Sequence, residues 1–573
     1  MTHTGNFAFL VSLLILAPMG ALAADVSPTI DYNPQISLKS NLSGEQLVRS
    51  FLSSDAKGAG LVKGAALELV QVQGSLLDTH YRFKQVLNGL DVVGGEIIVS
   101  LAADGQTISR TFARVYSTDR IAVKKALLQI KEENAFDAAW QNIKAHGELL
   151  EAPTAKLSYF PINGELHLAY VTNISVNAPF GYWQQVVDAE TGKVIDISDR
   201  RLERVKTSFI KNTQFTGSVS DRKVAFAAYD SKAANKSEAS LLGTMSVVSG
   251  TGVVFDPDPR TTLNDNALED SSPVTAFEHA YFTKDLLEIS QVGGVYRLTG
   301  PWVTIADFES PNTAPSTSTT GNWTAKRGTN SFNDVMTYFH LDQSQRYMQS
   351  LGFNGTRGIQ HASISVDTDG LNGDDNSHFI PSSNKLAFGH GCVDDNEDAD
   401  VILHEFGHAI QSSINHNWNG GDTGAMGEGF GDYWGASYSY RTPNGAHFFP
   451  NQIYSWDGHG TSDACWPGRV LDATTARYVA GTTYQAHTPI PGGHQSDELW
   501  STPLFQSLVT LTSMGVPHEE VDKIILESHF GLGGGITMPA MARATVATAS
   551  RLFPTGQHAE VFTAKFRAMG ILP

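Results

Sequence analysis

Apolar and polar positions alternate with a period of two in several short stretches of the first two hundred residues. Residues 67–72, 80–86 and 96–100 read as strands, with Asn88-Gly89 and Asp104-Gly105 as hairpin turns. A short helix opening at Ser43-Gly44-Glu45-Gln46 and ending near Ser53 precedes them. A second α+β unit follows. Residues 121–146 have helical spacing, with Ala122, Ala126, Leu127, Ile130, Phe136 and Ala139 on one side. Strands then recur at 156–160, 166–173, 183–188 and 194–197, and Thr191-Gly192 makes a tight turn. Residues 206–300 read as β-rich and 310–330 as a polar surface loop. Phe332, Val335, Met336 and Phe339 predict an amphipathic helix running to about Leu351. The last 165 residues read as mostly helical, with glycine-rich loops at 419–424 and 531–535.

Size and composition narrow the picture. A chain of 573 residues is too long for one ordinary domain. With 41% hydrophobic and 17% charged residues it is globular, and a formal charge of −19 argues against a nucleic-acid partner, which needs a basic face. The apolar run 7–23 ends in Ala21-Leu22-Ala23, the pattern of a signal peptide removed on export. Its lack of an upstream Lys or Arg leaves a buried N-terminal helix as the alternative. No later stretch is apolar enough to span a bilayer. The expectation is a secreted monomer without a membrane partner. Two cysteines, Cys392 and Cys465, leave a disulfide and two buried thiols both open. Arg200, Arg201, Glu203 and Arg204 form a charged run suited to a processing junction.

The chemistry concentrates at His404-Glu-Phe-Gly-His408. On a helix, residues four apart share a face, so both imidazoles can reach one zinc ion while Glu405 faces a metal-bound water. Asp398 and Asp400 suit the N-terminal end of such a helix. A catalytic zinc wants three protein ligands and one open position. Glu428 follows His404 by 24 residues, in the run from Gly424 to Asp432, and is the candidate third ligand. Asp432, one helical turn beyond, can hold the far nitrogen of a ligand histidine. As isolated acids, Glu428 and Asp432 would more often be solvated surface residues. Their offset from the histidine pair favours the metal reading.

These motifs resemble the thermolysin and fungalysin group of zinc endopeptidases, with fungalysin-type wording closer. The resemblance covers about residues 44–200 and 250 to the C-terminus. It implies an α+β, two-lobed catalytic domain with the zinc helix between a β-rich and a helical lobe, preceded by α+β propeptide modules. The segments are a signal peptide at 1–23, a fungalysin/thermolysin propeptide-like module at 24–118, a PepSY-like module at 119–205, an N-terminal lobe at 206–410 and a helical lobe at 411–573. His80-Tyr-Arg-Phe-Lys-Gln, Asn88-Gly89 and Gly94-Gly95-Glu96 carry the first propeptide likeness, and the stretch 183–194 the second. Asp375-Asn376-Ser377 resembles the edge-strand segment that holds substrate backbone, Val401 an apolar specificity position, Arg469 the substrate-binding arginine and His494 the histidine that stabilises the transition state. The chain departs from the group at Asn419, where thermolysin has an oxyanion-donating tyrosine, and at Gly468, where the group has a bulky residue. Pro489 and Pro491 crowd the loop before His494, with His487 as the runner-up to it, and Pro503 is expected to kink or end any helix starting there. His390 and His416 read as non-catalytic.

The implied reaction is hydrolysis of protein and peptide substrates with one zinc per chain. Glu405 is the general base, His494 the oxyanion donor, and Asn376, Ser377, Val401 and Arg469 align the substrate. The pro-region is expected to fold against the cleft as intramolecular inhibitor, with a cut between 198 and 215. Calcium is a second candidate metal at the acidic clusters 367–374 and 394–400, each equally readable as a solvated loop. Two other function classes remain in view. One is a binding or chaperone protein that keeps the zinc fold without catalysis. The other is a structural exported protein with an incidental motif.

Overall fold

The computed structural model describes residues 26–38, 40–119, 121–124, 128–203, 219–238, 245–418, 420–459 and 466–573. The signal-peptide reading of 7–23, and the readings of Ala126, Leu127, Arg204, Asn419 and Cys465, lie outside the described residues. Cys392 is disulfide-bonded.

The chain is mixed α/β. Its first two hundred residues form an 11-stranded sheet built mostly of antiparallel neighbours, flanked by the helices Gly44–Ser54 and Glu132–Asn142. The period-two stretches appear as Ala66–Gly74, Asp78–Leu87 and Leu90–Ala102, then Thr154–Ile162, Glu165–Asn177, Phe180–Asp188 and Val194–Asp199. Asn88 and Gly89 both have positive φ, 51° and 79°, as a two-residue hairpin turn demands. The helix expected over 121–146 is shorter. Ala122–Val123 is a strand beside Glu165–Leu166, and the helix starts only at Glu132, where Asn134 caps the Lys131 N–H.

The stretch 206–300, expected to be β-rich, opens among its described residues with a helix, Arg222–Glu238. Phe226 packs edge-on against Phe136 and Trp140, and Arg222 pairs with Glu133 and Asp137, which fixes this helix to the preceding module. The long strands Ser246–Val254 and Phe282–Val292 follow. The helix expected to run to about Leu351 is Asn330–Ser350, capped by the Thr329 hydroxyl, and it is buried on most of its faces rather than along one stripe.

A second sheet matters most for function. Its order is Leu202–Glu203, Ser377–Ile380, Lys385–Phe388, Ile364–Asp367, Val303–Ile305. Ser377–Ile380 would be its edge strand but for Leu202 and Glu203, which pair with it antiparallel. Among the described residues the C-terminal part is helical, and the helix Glu498–Ser513 passes through Pro503. The helix survives because Leu499, Trp500, Leu504, Phe505, Leu508 and Leu511 are buried. Burial of about 2 kcal/mol for each outweighs the roughly 3 kcal/mol an internal proline costs.

The N-terminal module docks on this helical part. Ile98 and Phe112 belong to the large core that also holds the two motif helices. Around them the contact is polar: the Glu527 carboxylate accepts from Ser75 Oγ at 2.7 Å and from the Leu76 and Leu77 N–H at 2.8 and 3.1 Å. Arg551 forks onto Asp78 with both bonds at 2.7 Å, and the Gly534 N–H donates to Glu96 at 2.7 Å. No described helix is long and apolar enough to cross a membrane.

Candidate metal centre

The first motif helix, Ala399–Ile414, begins where Asp398 accepts from the Asp400 N–H at 2.9 Å. The second, Gly421–Tyr440, packs against it, starting inside the stretch expected to be a glycine-rich loop. Glycines set how near the two helices come. A Cβ at Gly431 would lie 2.6 Å from His404 Nδ1, and one at Gly407 would lie 2.8 Å from the Gly431 Cα. Only positions without a side chain allow that approach.

The approach brings Glu428 to the histidine pair. His404 Nε2 lies 3.2 Å from Glu428 Oε2, and His408 Nε2 lies 3.3 Å from Oε1. Glu405 is fully buried, with a carboxylate oxygen within 4.8 Å of nitrogens of both histidines. Tetrahedral zinc with ligands at about 2.0–2.1 Å keeps neighbouring donor atoms about 3.4 Å apart. The observed spacing and the nitrogen, nitrogen, carboxylate chemistry fit that ion. His404 Nε2, His408 Nε2 and Glu428 Oε2 are buried without hydrogen-bond geometry, which a shared cation would compensate.

A second set of side chains orients these donors. His404 Nδ1 donates to Asp432 Oδ1 at 3.0 Å, so the other nitrogen, Nε2, presents a lone pair. The Tyr454 hydroxyl, 2.7 Å from Nδ1, donates to the same oxygen at 2.7 Å. Arg469 donates to it from Nε and Nη2 at 3.1 and 2.9 Å. Burial works against the Asp432 charge, but the Arg469 guanidinium and these hydrogen bonds hold its carboxyl below the usual range. Burial likewise opposes the Glu428 charge, and the imidazoles of His487 and His408 hold that carboxyl well below the ordinary value. Burial keeps His408 below the usual imidazole range, and hence neutral, as a metal ligand must be.

Two expectations change here. His494 does not reach the centre. It sits in a hairpin, with Nε2 2.8 Å from Thr475 Oγ1 and Nδ1 3.2 Å from Glu498, because the strand pair Pro489–Ile490 and His494–Gln495 turns it outward. His487 takes the inner position. Its Nε2 lies 3.4 Å from Glu428 Oε2, and its Nδ1 donates to Asp497 at 2.9 Å. Burial would depress the His487 pKa, but Glu428 and Asp497 lift it to about 9. Arg469, expected to hold substrate, is fully buried with its guanidinium on Asp432 and Tyr454 and 3.4 Å from His487 Nδ1.

Asn376 and Ser377 are buried at the edge strand, Ser377 donating to Asp395, and Val401 is buried on the first motif helix. His390 Nε2 donates to the Thr368 carbonyl, away from the centre. The acidic clusters are mostly spoken for. Asp367 is capped by the N–H groups of Phe308, Glu309 and Asp369, and Glu397 by Arg327 and the Gly328 N–H. Asp375, Asp395 and Asp457 bring oxygens within 4.8 Å of one another, a grouping that crosses the boundaries of both expected clusters. Tyr454 carried no motif signal. Asp497 stood in the run from His494 to Trp500 that carried the likeness at His494, with nothing along the chain to link it to His487.

Residues 78–110 match the family model described as the Fungalysin/Thermolysin Propeptide Motif. Neutral protease B of Bacillus subtilis (strain 168) is 28% identical over 145 residues, 24% of this chain and 26% of the relative. Bacillolysin of Brevibacillus brevis is 29% identical over 122 residues, 20% of this chain and 23% of the relative. The chain therefore matches about a quarter of the length of these curated relatives. Among solved structures, the precursor of protealysin, a metalloproteinase from Serratia proteamaculans, aligns with 47% of this chain and 86% of its own at 15% identity and a TM-score of 0.33. The propeptide motif and the two relatives bear out the resemblance to thermolysin-type metalloproteases.

Proposed function

We propose, from that resemblance and the geometry of the centre, that the chain is a secreted zinc endopeptidase made as an autoinhibited zymogen. The observation that carries this reading is the convergence of His404, His408 and Glu428, with Glu405 beside them, in a buried site of tetrahedral spacing. His404, His408 and Glu428 would hold the ion, which supplies a Lewis-acidic position for water and the scissile carbonyl. Glu405 accepts the proton of the attacking water and returns it to the leaving amine. His487, braced by Asp497, donates from Nε2 to the carbonyl oxygen as charge develops. Asp432, Tyr454 and Arg469 fix the ring of His404, and Asn376 and Ser377 offer the edge strand on which an extended peptide can lie. Val401 supports a preference for an apolar residue after the cut.

Autoinhibition is supported by the two residues that occupy that edge, Leu202 and Glu203, paired antiparallel with Phe379 and His378. The presence of the complete ligand set and of Glu405 favours catalysis over a zinc-binding scaffold. The test is metal analysis with an assay. One zinc per chain, with casein hydrolysis stopped by chelation and restored by zinc, is expected. Zinc bound without hydrolysis, or hydrolysis without metal, ends the reading.

A further inference from the structure

The two histidines of the first motif helix differ in how their outer nitrogens are held. His404 Nδ1 meets Asp432 and Tyr454. His408 Nδ1 is buried and has no hydrogen-bond partner among the described residues. A histidine that ligates through Nε2 carries its proton on Nδ1, and that proton is ordinarily taken by an acceptor that also fixes the ring. A buried N–H left unmet is costly, so the surroundings of this nitrogen need an account.

The space beside it is the one that Gly427 leaves on the second motif helix. A Cβ there would lie 3.4 Å from Gln411 Oε1 and 3.8 Å from His408 Nδ1, so an acceptor and a donor border the same space. Gln411 is buried, about one helical turn beyond His408 on the first motif helix. Its amide is oriented from the other side by His529. His529 Nδ1 lies 2.8 Å from the Ile525 carbonyl, which can only accept, so that nitrogen carries a proton. The rings of Trp418 and Phe430 flank His529, with centroids at 5.2 and 4.8 Å, and burial pushes its pKa down to about 4. The imidazole is therefore neutral at neutral pH and keeps a lone pair on Nε2. Gln411 Nε2 donates to that lone pair across 3.0 Å, which turns the amide oxygen to the Gly427 side.

We propose that Gln411 is a positioning residue for the ligand His408, holding its Nδ1 proton through one water in the space that Gly427 leaves, an inference that rests on the zinc reading above. The water accepts from His408 Nδ1–H and donates to Gln411 Oε1. From the Ile525 carbonyl through His529, Gln411 and the water to His408, each link then matches a donor to an acceptor. With its proton held on Nδ1, His408 presents the Nε2 lone pair on the side where Glu428 Oε1 lies at 3.3 Å. Gly427 thus differs from Gly431. At Gly431 a Cβ would collide with the His404 ring at 2.6 Å, whereas at Gly427 it would meet its neighbours at ordinary contact distance. What a side chain at 427 would displace is the water.

The test is zinc affinity of the full chain, read by competition with a chromophoric chelator. Gln411→Met keeps the bulk and removes the acceptor, and is expected to weaken zinc binding about 10–100-fold. Gly427→Ala leaves Gln411 and His529 untouched. Its methyl fits and alanine favours a helix, so the Tm of the metal-free chain should not fall. Its zinc binding should nevertheless weaken about tenfold or more. A role confined to packing would leave that affinity unchanged. Wild-type affinity in either variant overturns this inference and leaves the metal reading standing, whereas a wild-type chain that binds no zinc overturns the metal reading itself. A crystal structure of the zinc-loaded chain is expected to hold a water within hydrogen-bond distance of both His408 Nδ1 and Gln411 Oε1. A protein acceptor on Nδ1 in its place overturns the inference.

Discussion

Nδ1 of His487 donates to the Asp497 carboxylate across 2.9 Å, while His494, seven residues further on, turns to Thr475 and Glu498. This geometry supports the first of the two neighbouring histidines as the proposed oxyanion donor. Loss of one such donor costs about 10²–10³ in turnover. His487→Ala is expected to lower kcat/KM on a peptide substrate by that factor, and Asp497→Asn by a smaller one. His494→Ala should change it less than threefold. Equal losses at 487 and 494 would remove the assignment.

Much of the centre was legible because its information is local. His404 and His408 sit four residues apart on one helix, and Asp432 follows Glu428 at the same interval, so helical geometry alone aligns each pair. The joining of the two pairs was written in Gly431 and Gly407, although nothing along the chain says which glycine meets which ring. The histidine choice was not legible. It depends on a hairpin turning at Gly492 and Gly493 and on Asp497 reaching back to residue 487. The helix Arg222–Glu238 was hidden for the opposite reason. Its alanine-rich sequence favours a helix, but its partners Phe136 and Trp140 lie more than eighty residues earlier.

Glu405→Gln tests the proton path. The amide is nearly isosteric and lies outside the proposed ligand set, so zinc should remain at one per chain by metal analysis. General base catalysis is worth about 10²–10⁴-fold. Casein hydrolysis is expected to fall by at least that. Full activity would move the base elsewhere, and loss of the metal would make Glu405 a ligand.

Gly431→Ala tests the helix contact. The new methyl would meet the His404 ring, 2.6 Å from Nδ1 and 2.8 Å from Cε1. The ring is held at Nδ1 by Tyr454 and Asp432, so it cannot turn aside without losing the bond that fixes its tautomer. Zinc affinity is expected to fall about 10–100-fold, the range seen when the orientation of a ligand histidine is disturbed. Competition with a chromophoric chelator measures it. Wild-type affinity would show that the two helices can move apart freely.

Asp375, Asp395 and Asp457 gather where a cation would relieve their mutual repulsion. A calcium-selective chelator is expected to lower the Tm of the zinc-loaded protein. An unchanged Tm would take calcium out of the account.

The dock between the N-terminal module and the helical part should depend on pH through Glu527. Burial raises its carboxyl to about 7, against the hydrogen bonds from Ser75 and the Leu76 and Leu77 amides that favour the charged form. A raised carboxyl keeps its proton in the fold when the unfolded chain, with the ordinary value of 4.5, has lost it. Unfolding then releases a proton, so the contribution of Glu527 to stability is greatest at low pH and declines as pH climbs from about 4.5 to about 7. Asp367 and Glu397, also raised to about 7 by burial, act in the same direction. His80, pushed down to about 3 by burial at the same dock, acts against them, because below 6.5 the unfolded imidazole takes a proton that the folded one refuses. Glu527→Gln removes one of these terms and leaves the others. In the Glu405→Gln background, the Tm of the Glu527→Gln chain relative to its parent should therefore be more favourable at pH 8 than at pH 5, by a few degrees. A difference that does not vary with pH would mean that Glu527 is charged in the dock throughout.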